Sequence, residues 1–250
     1  MRNSLLRIKT LTGRNLKEII RDPLSLIFMI AMPLFMEVLF YFIFHELTSQ
    51  FEMKYLAPGI VVFSQAFLTL FAGILISIDR NSSFLTRLYV SKAKSYEFII
   101  SYALALLPIS LIQSILFFLV GGIIDYHIFS WGMVLAILLS LLTSLFFIGM
   151  GILFGSICNE KSIGGISSIV IVGQSVLSGM WFPTEGMNNG ILTIMKILPF
   201  KNATILLQNA LNGISDPLKD FLFPFLIVLG YTVVAFTLAV IVFKNKMKNH

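Results

Sequence analysis

The chain is poor in charge, in cysteine and in histidine. Only 12% of its 250 residues are Asp, Glu, Lys or Arg, against ~25% in a soluble domain. So few charged groups do not clothe an ordinary water-facing surface, and a soluble globular fold is excluded. The single cysteine, Cys158, allows no internal disulfide and reads as a small packing residue in a short loop. The three histidines, His45, His127 and His250, are scattered, and no His-Glu-x-x-His or Cys-x-x-Cys pair exists to hold a metal. No Gly-x-x-x-x-Gly-Lys loop is present, so ATP hydrolysis by that route is not expected of this chain. Low-complexity stretches and repeats are also missing. A cleavable signal peptide is not expected, because the first apolar run is longer than a signal core and lacks a small-x-small site.

What the chain does have is apolar length. Six hydrophobic blocks fall at about 24–44, 57–78, 98–120, 131–153, 164–180 and 221–243. Most reach the ~20 residues that cross a ~30 Å hydrocarbon core; the fifth is near the lower limit. The expected architecture is an all-α integral membrane protein: a cytoplasmic interfacial helix at 1–23 and one six-helix transmembrane domain at 24–250.

Positive charge is distributed unevenly between the blocks. Arg2, Arg7, Lys9, Arg14, Lys17 and Arg21 precede the first, Arg80, Arg87, Lys92 and Lys94 lie between the second and third, Lys161 between the fourth and fifth, and Lys244, Lys246 and Lys248 follow the last. That leaves only Lys54, Lys196, Lys201 and Lys219 for the other connections. The positive-inside rule then places both termini in the cytoplasm of a cell membrane. The net charge of +6 is explained by topology and lipid headgroups rather than by nucleic acid.

Residues Ser4–Arg21 read as an amphipathic helix on the inner surface. Leu5, Ile8, Leu16, Ile19 and Ile20 share one arc; Arg7, Arg14, Lys17, Glu18 and Arg21 lie opposite, and Lys9 must snorkel. Asp22-Pro23 ends it. The segment 181–220 is expected outside, with two apolar pieces too short to span, Ile191–Leu198 and Ala203–Leu211, forming re-entrant or interfacial helices.

Polar residues within the blocks divide between packing and transport. Glu37 is the one ionisable group well inside a span, with Pro33 a turn earlier freeing a carbonyl. Gln65 and Thr69 form one stripe of the second span, Phe63, Phe67 and Phe71 a roughly opposite one. Either stripe, with Glu37 and Gln174, is a candidate route for an amphipathic solute; core packing or lipid contact is the plainer alternative. Gly165, Ser168, Ser175 and Gly179 give the fifth span a small-residue face suited to a close helix contact, within the chain or between two copies.

The loop Asp79-Arg80-Asn81-Ser82-Ser83-Phe84-Leu85-Thr86-Arg87-Leu88-Tyr89-Val90-Ser91-Lys92 resembles the first cytoplasmic loop of ABC-2 type transporter permeases. Leu177-Ser178-Gly179-Met180-Trp181-Phe182-Pro183, with Met187, Leu192 and Pro199, is similar to that family's fifth span and outer segment. The likeness covers essentially the whole chain and is nearest the drug- and antibiotic-export branch that includes daunorubicin-resistance permeases. Asn81, Ser83, Lys92 and Asn188 depart from the usual residues. The resemblance implies a bacterial half-transporter that pairs with a second permease subunit, as homo- or heterodimer. A separate ATPase would hold ATP and magnesium, with no cofactor in this chain. It implies coupling to that ATPase through Arg80, Arg87 and Leu88, with Arg14 and Lys17 of the amino-terminal helix beside them. Export of an amphipathic drug, antibiotic or lipid-like compound is the leading expectation. Export of polysaccharide or teichoic-acid precursors is the alternative in the same fold. A non-transporting membrane enzyme or an immunity or sensing subunit is the alternative outside it.

Overall fold

A computed structural model describes residues 2–81, 94–182 and 187–248. The described residues form helices and no strand. In chain order these are α1 (Arg2–Ile20), α2 (Pro23–Phe44), α3 (Met53–Asn81), α4 (Ser95–Ile124), α5 (Trp131–Ile157), α6 (Glu160–Leu177), α7 (Asn189–Ile197), α8 (Pro199–Asn212) and α9 (Phe223–Lys248). A π-helical turn, Pro217–Leu222, leads into α9. The second and third blocks are longer as helices than as apolar runs, because the helix continues past the hydrophobic stretch at both ends.

Among the described residues five helices are long and apolar enough to cross a membrane: α2, α3, α4, α5 and the run Pro217–Asn245. The protein is therefore an all-α, multi-pass membrane protein. The block expected at 164–180 falls mainly in α6, which is not among those five. It is 18 residues long and carries Glu160 and Lys161 at its start, so its composition alone does not mark it as a span. Its attachments do show how far it runs. The guanidinium of Arg80, at the end of α3, donates to Cys158 O just before α6. Gln50 Nε2, just before α3, donates to Gly179 O and, at 3.0 Å, to Phe182 O just after α6. The segment 158–182 is thus pinned at both ends of α3 and lies antiparallel along it. α7 and α8, with 9 and 14 residues, meet at 74°. The bend falls at Pro199, which begins α8 and disfavours helical geometry at Leu198.

The core is centred on α3, whose most apolar window is 78% buried; that of α2 is only 17% buried. The tightest seam is between α3 and α5. Small residues make it possible: a Cβ placed on Gly155 would sit 2.6 Å from Gly73 O, and one on Gly151 would overlap the backbone at Thr69. Without a hydrophobic force between helices in lipid, such close backbone approach is what association rests on.

Asp22-Pro23 separates α1 from α2 as expected. Asp22 accepts from Ser25 N at 3.2 Å and Pro23 takes the first helical position, where a missing N–H costs nothing. Pro33 frees Met29 O, and Gln113 Nε2 of α4 donates to that carbonyl at 3.3 Å.

Candidate functional site

The end of the bundle that carries α1 is built around two buried carboxylates. Asp79 closes α3 and Glu97 opens α4, so together they flank residues 82–93. Their side chains are 1% and 0% exposed. Ions so placed need full compensation, because desolvation costs several kcal/mol each. α1 supplies it. Arg7 grips Glu97 with two parallel bonds, Nε to Oε2 at 2.8 Å and Nη2 to Oε1 at 2.7 Å. Arg14 grips both oxygens of Asp79 in the same way. Tyr102 Oη donates to Asp79 at 2.6 Å, Lys94 N to Glu97 at 3.1 Å, and Asn15 Nδ2 to Ser101 Oγ at 3.3 Å. Bidentate guanidinium–carboxylate pairs fix orientation as well as distance, so α1 is held to α3 and α4 in one register. Glu18, which pairs with Arg14 at 2.6 Å, has its carboxyl pushed up by burial and by Asp79, against the pull of Arg14 and Arg21.

This corrects the helical-wheel reading of α1. Arg7 and Arg14 turn toward the protein, whereas the apolar arc keeps its place: Ile19 is buried, and Leu5 and Ile20 are exposed, as a side that meets lipid would be. The wheel counted charged residues as water-facing; it had no knowledge of acids elsewhere in the chain. Of the expected coupling residues on α1, Lys17 is exposed, beside Lys9, Gly13 and Arg21 along one face, whereas Arg14 is spent on Asp79 and Glu18.

Arg80 is likewise engaged inside the chain. Its Nη1 donates to Ser156 O at 2.9 Å and Gly155 O at 3.3 Å, and Nη2 to Cys158 O. These carbonyls end α5, where a cation also meets the negative end of the helix dipole. Arg87 and Leu88 lie outside the described residues.

The two stripes of α3 face different surroundings. Gln65 and Thr69 are wholly buried against α5. Gln65 Nε2 donates to Ser140 O at 2.9 Å, Thr143 Oγ1 donates to Gln65 Oε1 at 2.6 Å, and Thr69 Oγ1 donates to Phe147 O at 3.0 Å. Ser140 Oγ continues to Ser114 Oγ of α4 at 2.8 Å. This polar stripe is a strut between helices, not an opening. The aromatic stripe is the looser one. Phe63 is buried beside Phe67 and Trp181, with ring centroids 5.5 and 5.8 Å away. Phe67 and Phe71 are half-buried. Phe71 borders a cavity of about 120 Å³ in the elbow between α1 and α2, together with Glu18, Asp22, Leu26 and Leu75.

Gln174 is buried against α8, donating to Thr204 Oγ1 at 3.3 Å. Glu37 is also wholly buried, and among the described residues neither carboxyl oxygen has a hydrogen-bond partner. It lies against Gly121 of α4, where a Cβ would come within 3.3 Å of Oε1. Glu37, Gln65, Gln174 and the phenylalanines are therefore not gathered around one space in the single chain.

The small-residue face of α6 points outward. Gly164 and Gly165 have open space where a Cβ would stand, and Ser168 is exposed. Gly179 is small for a different reason: it ends α6 at φ 73°, a left-handed conformation that a side chain disfavours.

Compared with known proteins, residues 7–212 match the family described as ABC-2 type transporter. That stretch runs from the first clamp arginine to the end of α8. No curated protein matches the chain.

Proposed function

The chain belongs to the ABC-2 type transporter family, and from that premise we propose that it is half of an ATP-driven exporter for an amphipathic compound. A permease subunit is a transport component rather than an enzyme. The family match over 7–212 carries the proposal. A separate ATPase subunit would bind ATP and magnesium and dock on the cytoplasmic side. Its docking platform would be the Lys9, Lys17 and Arg21 face of α1 together with the segment 82–93, which holds Arg87 and Leu88. The clamp at Asp79 and Glu97 supports this reading, because it joins α1 to both ends of that segment. A push on either element would reach α3 and α4 together. In energetic terms, nucleotide binding would favour one of two bundle packings by differential contact.

In this reading α2, α3, α4, α5, α6 and α9 are the six spans, both termini are cytoplasmic, and α7 and α8 form the outer re-entrant pair. A second permease subunit would cover Gly165, Ser168 and Ser175. The half-buried Phe67 and Phe71 favour an amphipathic solute over a sugar chain.

Co-purification under mild detergent tests the partner: the tagged chain should bring down a nucleotide-binding subunit. Vesicles containing both should then accumulate a cationic amphipathic dye such as rhodamine only with ATP and magnesium. Dye movement that does not depend on ATP, from a complex with both subunits present, would sink the proposal.

A further inference from the structure

Four prolines sit within helical runs past their first residues: Pro33 in α2, Pro58 in α3, Pro108 in α4, and Pro224 where the π-helical turn enters α9. A proline has no N–H, so the carbonyl four residues earlier loses its helical donor. Those carbonyls belong to Met29, Lys54, Leu104 and Asp220. Three of them accept instead from a carboxamide on another helix. Gln113 Nε2 reaches Met29 O at 3.3 Å, Asn212 Nδ2 reaches Lys54 O at 3.0 Å, and Asn209 Nδ2 reaches Asp220 O at 2.9 Å. Two of these three donors lie on α8. A third α8 carboxamide, Gln208 Nε2, reaches the neighbouring carbonyl of α3, Tyr55 O, at 3.0 Å.

The rest of α8 is equally committed. Ala203, Leu206, Leu207 and Ala210 are buried. Its backbone rests on α5 at Gly132, where a Cβ would stand 2.6 Å from Ala210 O. The helix is thus fastened to α3, α5 and α9.

We infer that Gln208, Asn209 and Asn212 are positioning residues that hold α8 as a fixed cap on the end of the bundle away from α1, the two asparagines using carbonyls that Pro58 and Pro224 leave open. Proline makes the socket and the carboxamide fills it. A carboxamide suits the task because it is neutral and carries two donors; a carboxylate of the same size would set acceptor against acceptor. Within the transport cycle proposed above, on which this clause rests, α8 moves with α3, α5 and α9 as one piece. Opening at that end then falls to α2, the helix with the least buried window.

The dependence on proline gives a test that ordinary packing would not pass. In a Cys158→Ser background, Ala210→Cys on the buried side of α8 reports exposure to a water-soluble maleimide in detergent. Asn212→Ala should lower the thermal midpoint and speed labelling several-fold, and Asn212→Asp should do more. Pro58→Ala returns an N–H to Lys54 O and should remove most of the Asn212→Ala effect. The same cycle on Gln113→Ala and Pro33→Ala reads the buried pair, should the Pro58 variant fold poorly. An equal Asn212→Ala effect with and without Pro58→Ala, and likewise for the second pair, overturns the pairing. Continued protection of Ala210→Cys in Asn209→Ala with Asn212→Ala overturns the cap. These measurements use the chain alone, so they stand whether or not it exports rhodamine. Cross-linking Lys54→Cys to Asn212→Cys should leave ATP-driven rhodamine uptake within twofold. Loss of uptake on cross-linking, relative to the same variant reduced, shows that α8 moves; no uptake by the chain without these two substitutions counts against the exporter reading instead.

Discussion

Asp79 and Glu97 are acids in a place where an acid alone is costly, and the arginines of α1 are what make them tolerable. Glu97→Gln removes the charge but keeps the shape. Arg7 is 36% exposed and can turn to water, so the expected loss is modest, about 1–2 kcal/mol. Thermal unfolding in detergent measures it, and exchanging the charges by Arg7→Glu with Glu97→Arg should recover part of the loss. No recovery would mean that the Arg7–Glu97 pair adds little to the hold on α1 beyond Arg14–Asp79 and the apolar residues. At Gly179 the expectation differs from that for a packing glycine. Its φ of 73° penalises any side chain, so Gly179→Ala and Gly179→Leu should both cost on the order of 1 kcal/mol. A large Leu effect beside a negligible Ala effect would point to crowding instead. Neither residue reading was available from the chain alone. The charge on Arg7 was visible, but its partner lies 90 positions away.

Among the elements, the spans were legible because lipid demands unbroken apolar length. Which side of each span faces protein was not, since a lipid-facing side is as apolar as a protein-facing one. α3 shows the difficulty. Its two stripes were separable by periodicity, yet only the acceptors on α5 decide that Gln65 and Thr69 are the buried pair. α6 shows the converse: its charged start and small polar residues hide its length, and the bonds at Cys158 and Gly179 reveal it. Two predictions follow from the helix contacts. Gly155→Leu should prevent α3 and α5 from closing and cost roughly 3 kcal/mol or more by overpacking and backbone displacement, with loss of folded protein on size exclusion. Ser168→Leu, on the exposed side of α6, should leave the unfolding midpoint of the single chain nearly unchanged while lowering the fraction of dimer. If the dimer fraction is unaffected, the α6 face meets lipid.

At the scale of the whole molecule the expectation is a bundle with α1 inside and the α7–α8 pair outside. In a Cys158→Ser background, Lys248→Cys should react with an impermeant maleimide only from the cytoplasmic side, and Asn189→Cys only from the other. Reversal at both positions would invert the molecule. The lysine and arginine pattern is what predicts this orientation, whereas it carries no sign of how the two ends are locked. The end that carries α1 is held by ion pairs between distant segments and the opposite end by side-chain bonds to backbone, and a linear pattern carries neither.

The clamp also sets an order of assembly. α1 is made first, but Asp79 and Glu97 are synthesised some sixty-five and ninety residues after the arginines they hold. Until α3 and α4 have entered the membrane, Arg7 and Arg14 lack the carboxylates that tie α1 to the bundle, and Arg14 has only its neighbour Glu18 within α1. A nascent chain halted near residue 70 should therefore lose α1 to a protease, and one halted after α4 should keep it. Helix α1 precedes the helices that hold it and is secured only after α4, so its protection from cleavage would date the insertion of the third span.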